Sequence, residues 1–169
     1  MKRIARFEKV SRAQFIRDFL DTFGGEQTAA EEAYGKAVLP KRATAGSAGY
    51  DFVTPVRICL KPGETMKIPT GIRAAMEEGW VLQIYPRSGL GFRYRLQMNN
   101  TVGIVDSDYY YSDNEGHIFI KITNDSREGK ELCLEAGSGF AQGIFMEYGI
   151  TVDDEAKSTR NGGFGSTGV

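Results

Sequence analysis

From residue 37 onward, the apolar residues of this chain come in short runs that are separated by turn residues. Two of these turns, Lys61-Pro62-Gly63-Glu64 and Pro69-Thr70-Gly71, carry the proline and glycine that commonly end strands. The sequence shows no alternation of strands with helices, and it contains neither a GxxxxGK(S/T) nor a GxGxxG motif. We therefore predict an all-β barrel or sandwich, with strands at 56–60, 65–68, 72–76, 81–85, 101–105, 117–123, 130–134 and 143–148.

The N-terminal residues have a different pattern. Residues 3–10 allow a short strand, after which the period changes to that of a helix. Ser11 is a suitable N-cap with Gln14 at the third helical position, and Gly24-Gly25 ends the helix. The alanine-rich residues 26–36 either extend this helical region or cover a neighbouring element. The helix has an apolar stripe that predicts core packing, formed by Phe15, Ile16, Phe19, Leu20 and Phe23.

The composition is that of an ordinary globular domain. Hydrophobic residues make up 41% of the 169 residues and charged residues 25%, so one domain with a full core is expected. The formal net charge of −1 argues against binding to a nucleic-acid polymer and indicates a small ligand. No apolar run approaches the roughly 20 residues of a membrane span, and the charged N-terminus is unlike a secretory signal. We expect a cytoplasmic protein that does not bind a membrane.

The histidine and cysteine content limits the chemistry that the chain can perform. His117 is its only histidine, so neither a His/Cys zinc cluster nor a Ser-His-Asp triad is expected. Cys59 and Cys133 lie far apart, lack a CxxC spacing and have aliphatic neighbours. This environment predicts two buried thiols.

The C-terminal segment 160–169 is rich in glycine and has the composition of a phosphate clamp. Glycines allow the backbone to approach an anion, while Arg160 and the hydroxyls of Ser166 and Thr167 can donate hydrogen bonds to it. Phe164 suggests that the ligand also carries a ring. A disordered tail without function is the alternative interpretation.

Two further segments contain groups that suit an anion or a metal-bound water. Arg87, Ser88 and Gly89 come directly after the predicted strand 81–85 and offer a guanidinium group, a hydroxyl and backbone N–H groups. Asp51 ends the small-residue segment 45–51 and is able to orient an arginine or a metal-bound water. An ordinary turn aspartate explains Asp51 equally well.

Segment 99–109 combines a carboxylate, an amide and an aromatic ring. Its apolar strand ends at Asp106, where a carboxylate is well placed to act as general base on a water. Asn100 can hydrogen-bond both donors and acceptors of a base, and Tyr109 offers a ring. A hairpin with a solvated acidic turn is the alternative. Gln142, at the start of the last predicted strand, meets a phosphate or simply caps a sheet edge.

Together these segments resemble, in order, the five motifs of the homotrimeric dUTP pyrophosphatases, or dUTPases. They read AGSAGYD from residue 45, PRSGLG from residue 86, NNTVGIVDSDYY from residue 99, residues 137–142, and RNGGFGSTG from residue 160. The resemblance covers about Leu39 to the C-terminus and implies a jelly roll or distorted β-barrel of the β-clip type, with an added N-terminal helix. It further implies one dUTPase-like domain over 1–157 with a helical insertion at about 11–35, a flexible arm over 158–169, and a homotrimer with sites at subunit interfaces.

The resemblance also implies an activity and a role for each motif residue. The expected reaction is hydrolysis of dUTP to dUMP and pyrophosphate, with Asp106 activating the water that attacks the α-phosphorus. Mg²⁺ is the expected cofactor, held mainly by the substrate phosphates and by waters, with Asp51 contacting it through water. Asn100 is implied to read uracil and Tyr109 to lie beneath the deoxyribose. The implied substrate-binding residues are Arg87, Ser88, Gly89, Asn100, Val105, Tyr109, Gln142, Arg160, Phe164, Gly165, Ser166 and Thr167.

Three features depart from the family pattern, and two other activities stay open. Residues 110–115 form an insertion after Tyr109, Gly139 stands where many relatives have a polar residue, and the helix at 11–23 exceeds the usual N-terminus. One alternative is an enzyme resembling the dCTP deaminases, which share the fold and a similar Asp-containing hairpin. The other is a nucleotide-gated regulator that binds a protein partner. Tyr109 and the terminal glycine-rich motif favour the pyrophosphatase.

Overall fold

In the computed structural model, which describes residues 1–158, short β-strands form most of the regular structure. Two helices follow the first strand, and a third helix and a 3₁₀ turn lie among the later strands. The elements are β1 (Ala5–Lys9), α1 (Arg12–Phe23), α2 (Gln27–Lys36), β2 (Lys41–Arg42), β3 (Tyr50–Val53), β4 (Ile58–Leu60), β5 (Thr65–Pro69), β6 (Ile72–Met76), β7 (Trp80–Pro86), α3 (Ser88–Tyr94), β8 (Leu96–Met98), β9 (Gly103–Val105), the 3₁₀ turn (Ser107–Tyr111), β10 (Phe119–Asn124), β11 (Leu132–Leu134) and β12 (Gly139–Glu147).

The strands form four small antiparallel sheets around a shared core. The largest has the order β2-β3-β12-β7-β9, a second has the order β5-β10-β8, and two strand pairs, β1-β6 and β11-β4, complete the set. The core side chains come from several of these sheets and include the fully buried Phe52, Leu82, Ile84, Ile120 and Phe140. The predicted β class is thereby confirmed, since apolar residues at alternate strand positions meet in the interior.

The predicted strands agree with the observed ones in most places, and the differences have local causes. Strand β6 has the predicted bounds, whereas β12 begins at Gly139, four residues earlier than predicted. The glycine-containing residues 86–91, expected to offer their N–H groups to an anion at the end of a strand, instead run into the helix α3 (Ser88–Tyr94). Gly89 and Gly91 mask its helical pattern, because glycine lowers the local helix propensity.

The predicted N-terminal helix is confirmed as α1. The Oγ of Ser11 accepts a hydrogen bond from the N–H of Gln14 over 3.1 Å, and Gly24 ends the helix with a φ of 67°. Its apolar stripe packs against α2 in a small separate core that includes Phe15, Phe19 and Ala33. The alanine-rich residues therefore form a second helix that covers the first.

The prediction for the two cysteines was wrong. Cys59 and Cys133 lie directly opposite each other on β4 and β11, form a disulfide with their Cα atoms 4.2 Å apart, and are exposed. Their aliphatic neighbours Ile58, Leu60 and Leu132 are buried. Because side chains alternate between the two faces of a strand, burying these neighbours turns both sulfur atoms to the outer face.

An ionic cluster around Glu8 ties β1 to β6 and to the 3₁₀ turn. The carboxylate accepts hydrogen bonds from Arg6 Nε at 2.6 Å, from Arg73 at 2.8 Å and from the hydroxyl of Tyr110 at 2.7 Å. The guanidinium of Arg73 also lies 4.4 Å from the centre of the Tyr110 ring. The hydrogen bonds from Arg6 and then Tyr110 lower the pKa of Glu8 to about 2, outweighing its partial burial, and Arg73 lowers it further.

We predict that Glu8→Gln lowers the free energy of unfolding by about 1–2 kcal/mol at pH 7, since three hydrogen bonds lose a charged acceptor. Glu8 has a folded pKa of about 2, below the ordinary value of 4.5. Its stabilising contribution is therefore complete above about pH 4.5 and is lost as the pH falls toward 2. Urea unfolding at pH 7, 4.5 and 3 measures the difference from wild type, which should shrink with falling pH.

Glu78→Gln is the control for this measurement, because Glu78 is an exposed residue of the turn after β6. It should leave the unfolding free energy nearly unchanged at each pH. A Glu8→Gln effect that stays constant from pH 7 to pH 3 would contradict the assignment of the lowered pKa.

Candidate active site

The central position of β12 in the largest sheet brings two of the predicted motifs together. β12 pairs with β3 on one side and with β7 on the other, so Gln142 lies opposite both Asp51 and Tyr85. Gly49 leaves room for this amide, since a Cβ at that position would stand 2.6 Å from the Oε1 of Gln142. The small residues of the first motif thus allow Gln142 to approach the segment that carries Asp51.

Arg87 extends from the end of β7 over β12 toward Asp51. The backbone N–H of Arg87 donates to the carbonyl of Phe140 over 3.2 Å, and the side-chain Nε of Arg87 lies 3.5 Å from the Oδ1 of Asp51. A Cβ at Gly139 would stand 2.6 Å from a terminal guanidinium nitrogen and 3.2 Å from the Cδ of Arg87. The glycine at position 139 therefore makes space for the arginine.

The second motif lines an open cavity of about 550 Å³ next to this pair. Its polar groups include the side chains of Arg87, Ser88 and Gln142. The N–H groups of Leu90 and Gly91 both donate to the carbonyl of Arg87 within α3, so they do not contribute to the anion-binding turn expected from the sequence. We call the group formed by Asp51, Arg87, Ser88 and Gln142 the polar cradle.

A second cavity, of about 290 Å³, lies beside the turn between β8 and β9. Asn100 sits in this turn, where its carbonyl accepts a hydrogen bond from the N–H of Val102 over 2.7 Å and where Thr101 has a φ of 66°. The cavity is mostly apolar with a polar edge and is lined by Lys67, Ile84, Met98, Asn99, Asn100, Gly103, Val105, Phe119 and Lys121. We call it the turn cavity.

Three residues of the turn cavity were missed by the sequence analysis. Phe119 and Lys121 alternate along β10, and Lys67 lies directly opposite Lys121 on β5. The ammonium group of Lys67 is 4.2 Å from the centre of the Phe119 ring. The period of two along β10 places Phe119 and Lys121 on one face, but the pairing with β5 could not be read from the sequence.

Asp106 and Tyr109 lie at either end of the first turn after β9. Asp106 is half-buried at the start of the 3₁₀ turn, and its carbonyl accepts a hydrogen bond from the N–H of Tyr109 over 3.2 Å. Tyr109 is only 2% exposed, and its hydroxyl donates to the carbonyl of His117 over 2.7 Å. The predicted place of Tyr109 beneath a sugar stays a prediction, since almost all of its side chain is covered within this chain.

Within one chain, Asp106, the predicted general base, lies far from the polar cradle. Val105 lies opposite Leu82 on β7, whereas Arg87 follows the other end of that strand. At about 3.3 Å per residue, Leu82 and Arg87 are separated by roughly 16 Å, and Asp106 lies beyond Leu82. The side chain of Arg87 also extends over β12, which is on the opposite side of β7 from β9.

The remaining site predictions fall outside the part of the chain that the structure describes. They concern Arg160, Phe164, Gly165, Ser166 and Thr167. Among residues 1–158, no group of three or more histidine, cysteine, aspartate or glutamate residues is arranged to hold a metal ion. No helix within the same residues has the length and apolar character needed to cross a membrane.

The fold and the site together define a mostly β protein with a polar cradle and a separate, largely apolar cavity. The dUTPase family model matches residues 35–168 of the chain. A curated relative, the deoxyuridine 5'-triphosphate nucleotidohydrolase of Lactococcus lactis subsp. lactis (strain IL1403), is 44% identical over 134 residues, which are 78% of this chain and 88% of the relative. The chain therefore belongs to the dUTPase family.

Solved structures of dUTPases have the same fold. The crystal structure of dUTPase from Streptococcus mutans is 33% identical with a TM-score of 0.64, and the match covers 88% of this chain and 98% of that chain. A mutant dUTPase from phage phi11 of S. aureus, whose structure is described with a structural Mg(II) ion, has a TM-score of 0.63 at 17% identity. That match covers 92% of this chain and 98% of the phage chain and shows a shared fold.

We predict that Gly139→Ala weakens binding of inorganic triphosphate by about tenfold, because the added methyl group displaces the Arg87 guanidinium that would otherwise form a charge-assisted hydrogen bond. Isothermal titration calorimetry measures the dissociation constant. The melting temperature should change little, since Arg87 is a partly exposed side chain that can move aside.

Gly35→Ala is a matched control, because a Cβ at that position of α2 meets nothing within 4 Å. It should leave triphosphate binding unchanged. Equal dissociation constants for Gly139→Ala and wild type would show that the position of Arg87 over Gly139 does not matter for the anion.

Proposed function

We propose that this protein is a dUTP diphosphatase, which hydrolyses dUTP to dUMP and pyrophosphate in the cytoplasm. Family membership supports this activity, and so do the curated relatives, which are deoxyuridine 5'-triphosphate nucleotidohydrolases. The two sites match the two parts of such a substrate. The polar cradle suits the phosphates, and the turn cavity, with its amide at Asn100, suits the base.

The separation of Asp106 from Arg87 carries the proposal that each site forms between copies of the chain. A general base must come within hydrogen-bond reach of the water that it activates. The phosphate that this water attacks must at the same time contact the groups that neutralise its charge. Because the two residues lie at opposite ends of β7, one chain cannot offer both to a single nucleotide, whereas a homotrimer can.

Exposed apolar side chains support this assembly. Phe92 of α3 is 93% exposed and lines the same cavity as the polar cradle. Ile104 on β9 and Met146 on β12, two strands of the largest sheet, are also exposed. We assign these side chains to the surfaces that a closed homotrimer would cover on each copy.

The base and sugar are recognised at the turn between β8 and β9. The amide of Asn100 can both donate to and accept from the uracil edge, and the turn cavity behind it offers the apolar walls of Val105 and Phe119. Tyr109, four residues after Val105 of this cavity, is the residue that we assign to the sugar. Its nearly complete burial limits any sugar contact to the exposed part of the ring.

The reaction is an in-line displacement by water at the α-phosphorus. The carboxylate of Asp106 accepts a proton from the attacking water, the new P–O bond forms, and the bond to the bridging oxygen breaks to release pyrophosphate. Arg87, Ser88, Gly89 and Gln142 hold the phosphate oxygens and stabilise the charge that develops on them. No covalent nucleophile is needed, because positioning and charge neutralisation lower the barrier.

Magnesium fits this site as an ion held by the substrate. Mg²⁺ keeps several waters and binds phosphate oxygens together with one or two carboxylates. Asp51 supplies the half-buried carboxylate of the polar cradle. When bound, the ion neutralises phosphate charge and orients the triphosphate. Asp51 would hold the ion through an intervening water, while its contact with Arg87 keeps the guanidinium group in the cradle.

The C-terminal arm completes the site from a neighbouring copy. Arg160, Ser166 and Thr167 bind the γ-phosphate, Gly165 allows close backbone approach, and Phe164 covers the uracil. The chemical character of these residues supports this role, because a forked cation, hydroxyls and glycine suit a phosphate, and a ring suits a base.

One assay tests the proposed activity directly. Pyrophosphate and ammonia release are measured with dUTP, dTTP, dCTP and UTP, each with and without Mg²⁺. The proposal predicts pyrophosphate release from dUTP, stimulated by Mg²⁺ and much slower with the other nucleotides. Ammonia release from dCTP would instead show the deaminase, and nucleotide binding without turnover would show a regulator.

We predict that Asp106→Asn lowers kcat for dUTP by at least about 10²-fold, because the amide cannot accept the proton of the attacking water. The dissociation constant for a non-hydrolysable dUTP analogue should stay within a few-fold of the wild-type value, since no binding group is removed. Asp108→Asn serves as the control, because Asp108 is an exposed carboxylate two residues away. Undiminished hydrolysis by Asp106→Asn would disprove the assignment of the base.

Deletion of all residues after Lys157 should lower kcat/KM for dUTP strongly, by about 10²-fold, because the phosphate clamp and the ring that covers the base are removed together. Size-exclusion chromatography with light scattering should show an unchanged oligomeric state and circular dichroism an unchanged fold. A truncated protein with wild-type kcat/KM would refute the role of the arm.

A further inference from the structure

The N-terminal helix and the inserted residues after Tyr109 are parts of one contact network. Glu115, in the insertion, accepts hydrogen bonds from both the N–H and the Oγ of Ser11, each over 2.7 Å. Ser11 is at the same time the N-cap of α1. Burial raises the pKa of Glu115, but the hydrogen bonds from Ser11 and the charge of Arg73 outweigh it and hold this pKa below its ordinary value.

Asp18, about two turns further along α1, holds the imidazole of His117. The ring is fully buried, and its Nε2 accepts a hydrogen bond from the N–H of Gly71 over 2.8 Å. A nitrogen that accepts cannot carry a proton, so the ring proton is on Nδ1 and is donated to the carboxylate of Asp18. The helix therefore fixes both the tautomer and the orientation of this ring.

His117 in turn contacts Tyr109 and one wall of the turn cavity. Its carbonyl accepts the hydrogen bond from the hydroxyl of Tyr109, which also accepts one from the amide of Asn114 over 2.9 Å. Its ring lies 4.6 Å, centre to centre, from the ring of Phe119, which lines the turn cavity. A displacement of His117 would thus move Tyr109. It would also move Asp106, because the N–H of Tyr109 is hydrogen-bonded to the carbonyl of Asp106 at the start of the 3₁₀ turn.

We propose that Asp18 is a positioning residue for dUTP hydrolysis, acting through His117 on the segment that carries Tyr109 and Asp106. This inference rests on the function proposed above. It assigns a role to the helix that precedes the dUTPase motifs. In this role, α1 fixes the geometry of the insertion and of the proposed general base, Asp106. Asp18 does not touch the substrate.

The packing of α1 is independent enough of Asp18 for the role to be tested. The helix has its own apolar core around Phe15 and Phe19 and its own N-cap at Ser11. Its other contacts near Asp18 are a hydrogen bond from the side chain of Gln14 over 3.0 Å and one from Thr22 to the Asp18 carbonyl. Removing the carboxylate should leave the helix in place while it releases the imidazole.

The first test compares three variants of the full-length enzyme with dUTP as substrate. Asp18→Ala should lower kcat about tenfold with KM within about threefold of wild type, because a small displacement of reacting groups slows the chemical step more than it weakens binding. Asp18→Asn keeps an oxygen that accepts from Nδ1–H and should restore kcat to near the wild-type value. Asp21→Ala, an exposed position on the same helix, should change neither constant.

The second test uses the fact that His117 is the only histidine of the chain. Its ring nitrogens give one unambiguous set of signals in ¹H–¹⁵N spectra, which should show the Nδ1–H tautomer in the wild type and a changed pattern in Asp18→Ala. A saturating non-hydrolysable dUTP analogue with Mg²⁺ should shift the wild-type ring signals, since the ring contacts the wall of the turn cavity.

The two tests separate the possible outcomes. If Asp18→Ala keeps the wild-type kcat while its melting temperature falls, Asp18 is only structural and the inference is overturned. If the analogue binds, as calorimetry on the same sample shows, but leaves the His117 signals unmoved, the coupling to the site is also overturned, even where Asp18→Ala does not fold. A wild-type enzyme that neither binds nor hydrolyses dUTP would instead overturn the proposed function.

Discussion

The arrangement of the site depends on one constraint, which is the position of β12 between β3 and β7. This double pairing sets Gln142 opposite Asp51 and Tyr85, and it leaves only β12 between the end of β7 and β3. Two glycines then decide whether the polar groups can meet. Gly49 leaves space for the amide of Gln142, and Gly139 leaves space for the guanidinium of Arg87. Without these two gaps, the same strand pairing would keep the polar groups apart.

The same sheet keeps the two groups of proposed site residues apart within one chain. The polar cradle forms at one end of β7, and the proposed general base, Asp106, follows β9, which pairs with the other end. Rigid strand pairing fixes this separation, so it cannot close by movement of a side chain. Association of several copies is therefore part of the proposed chemistry, and Phe92, Ile104 and Met146 are among the exposed apolar side chains that such an association would cover.

The sequence predicted the features that depend on local patterns. The N-cap at Ser11, the apolar stripe of α1 and the bounds of β6 follow from residue spacing. Features that depend on tertiary pairing were missed. The thiols of Cys59 and Cys133 were expected inside because their neighbours are apolar, yet alternation along the strands turns them outward, and the opposing registers of β4 and β11 join them.

Within the site, the motifs identified the polar residues but not their partners. Lys67 faces Lys121 only through the register of β5 with β10. The link from Asp18 to His117 joins α1 to the segment just before β10, and the two residues are 99 positions apart in sequence. Such a pair leaves no periodic signal, because nothing in the local pattern of either element requires the other.

Subunit mixing tests most directly whether the general base, Asp106, and the polar cradle of one site come from different copies of the chain. The Asp106→Asn and Arg87→Ala variants are each expected to be inactive. The two proteins are unfolded, mixed in equal amounts and refolded together. If each site takes the two residues from different chains, about a quarter of the sites receive both intact, and dUTP hydrolysis returns to about a quarter of the wild-type rate. A mixture that stays as inactive as the two variants refolded separately would contradict the account.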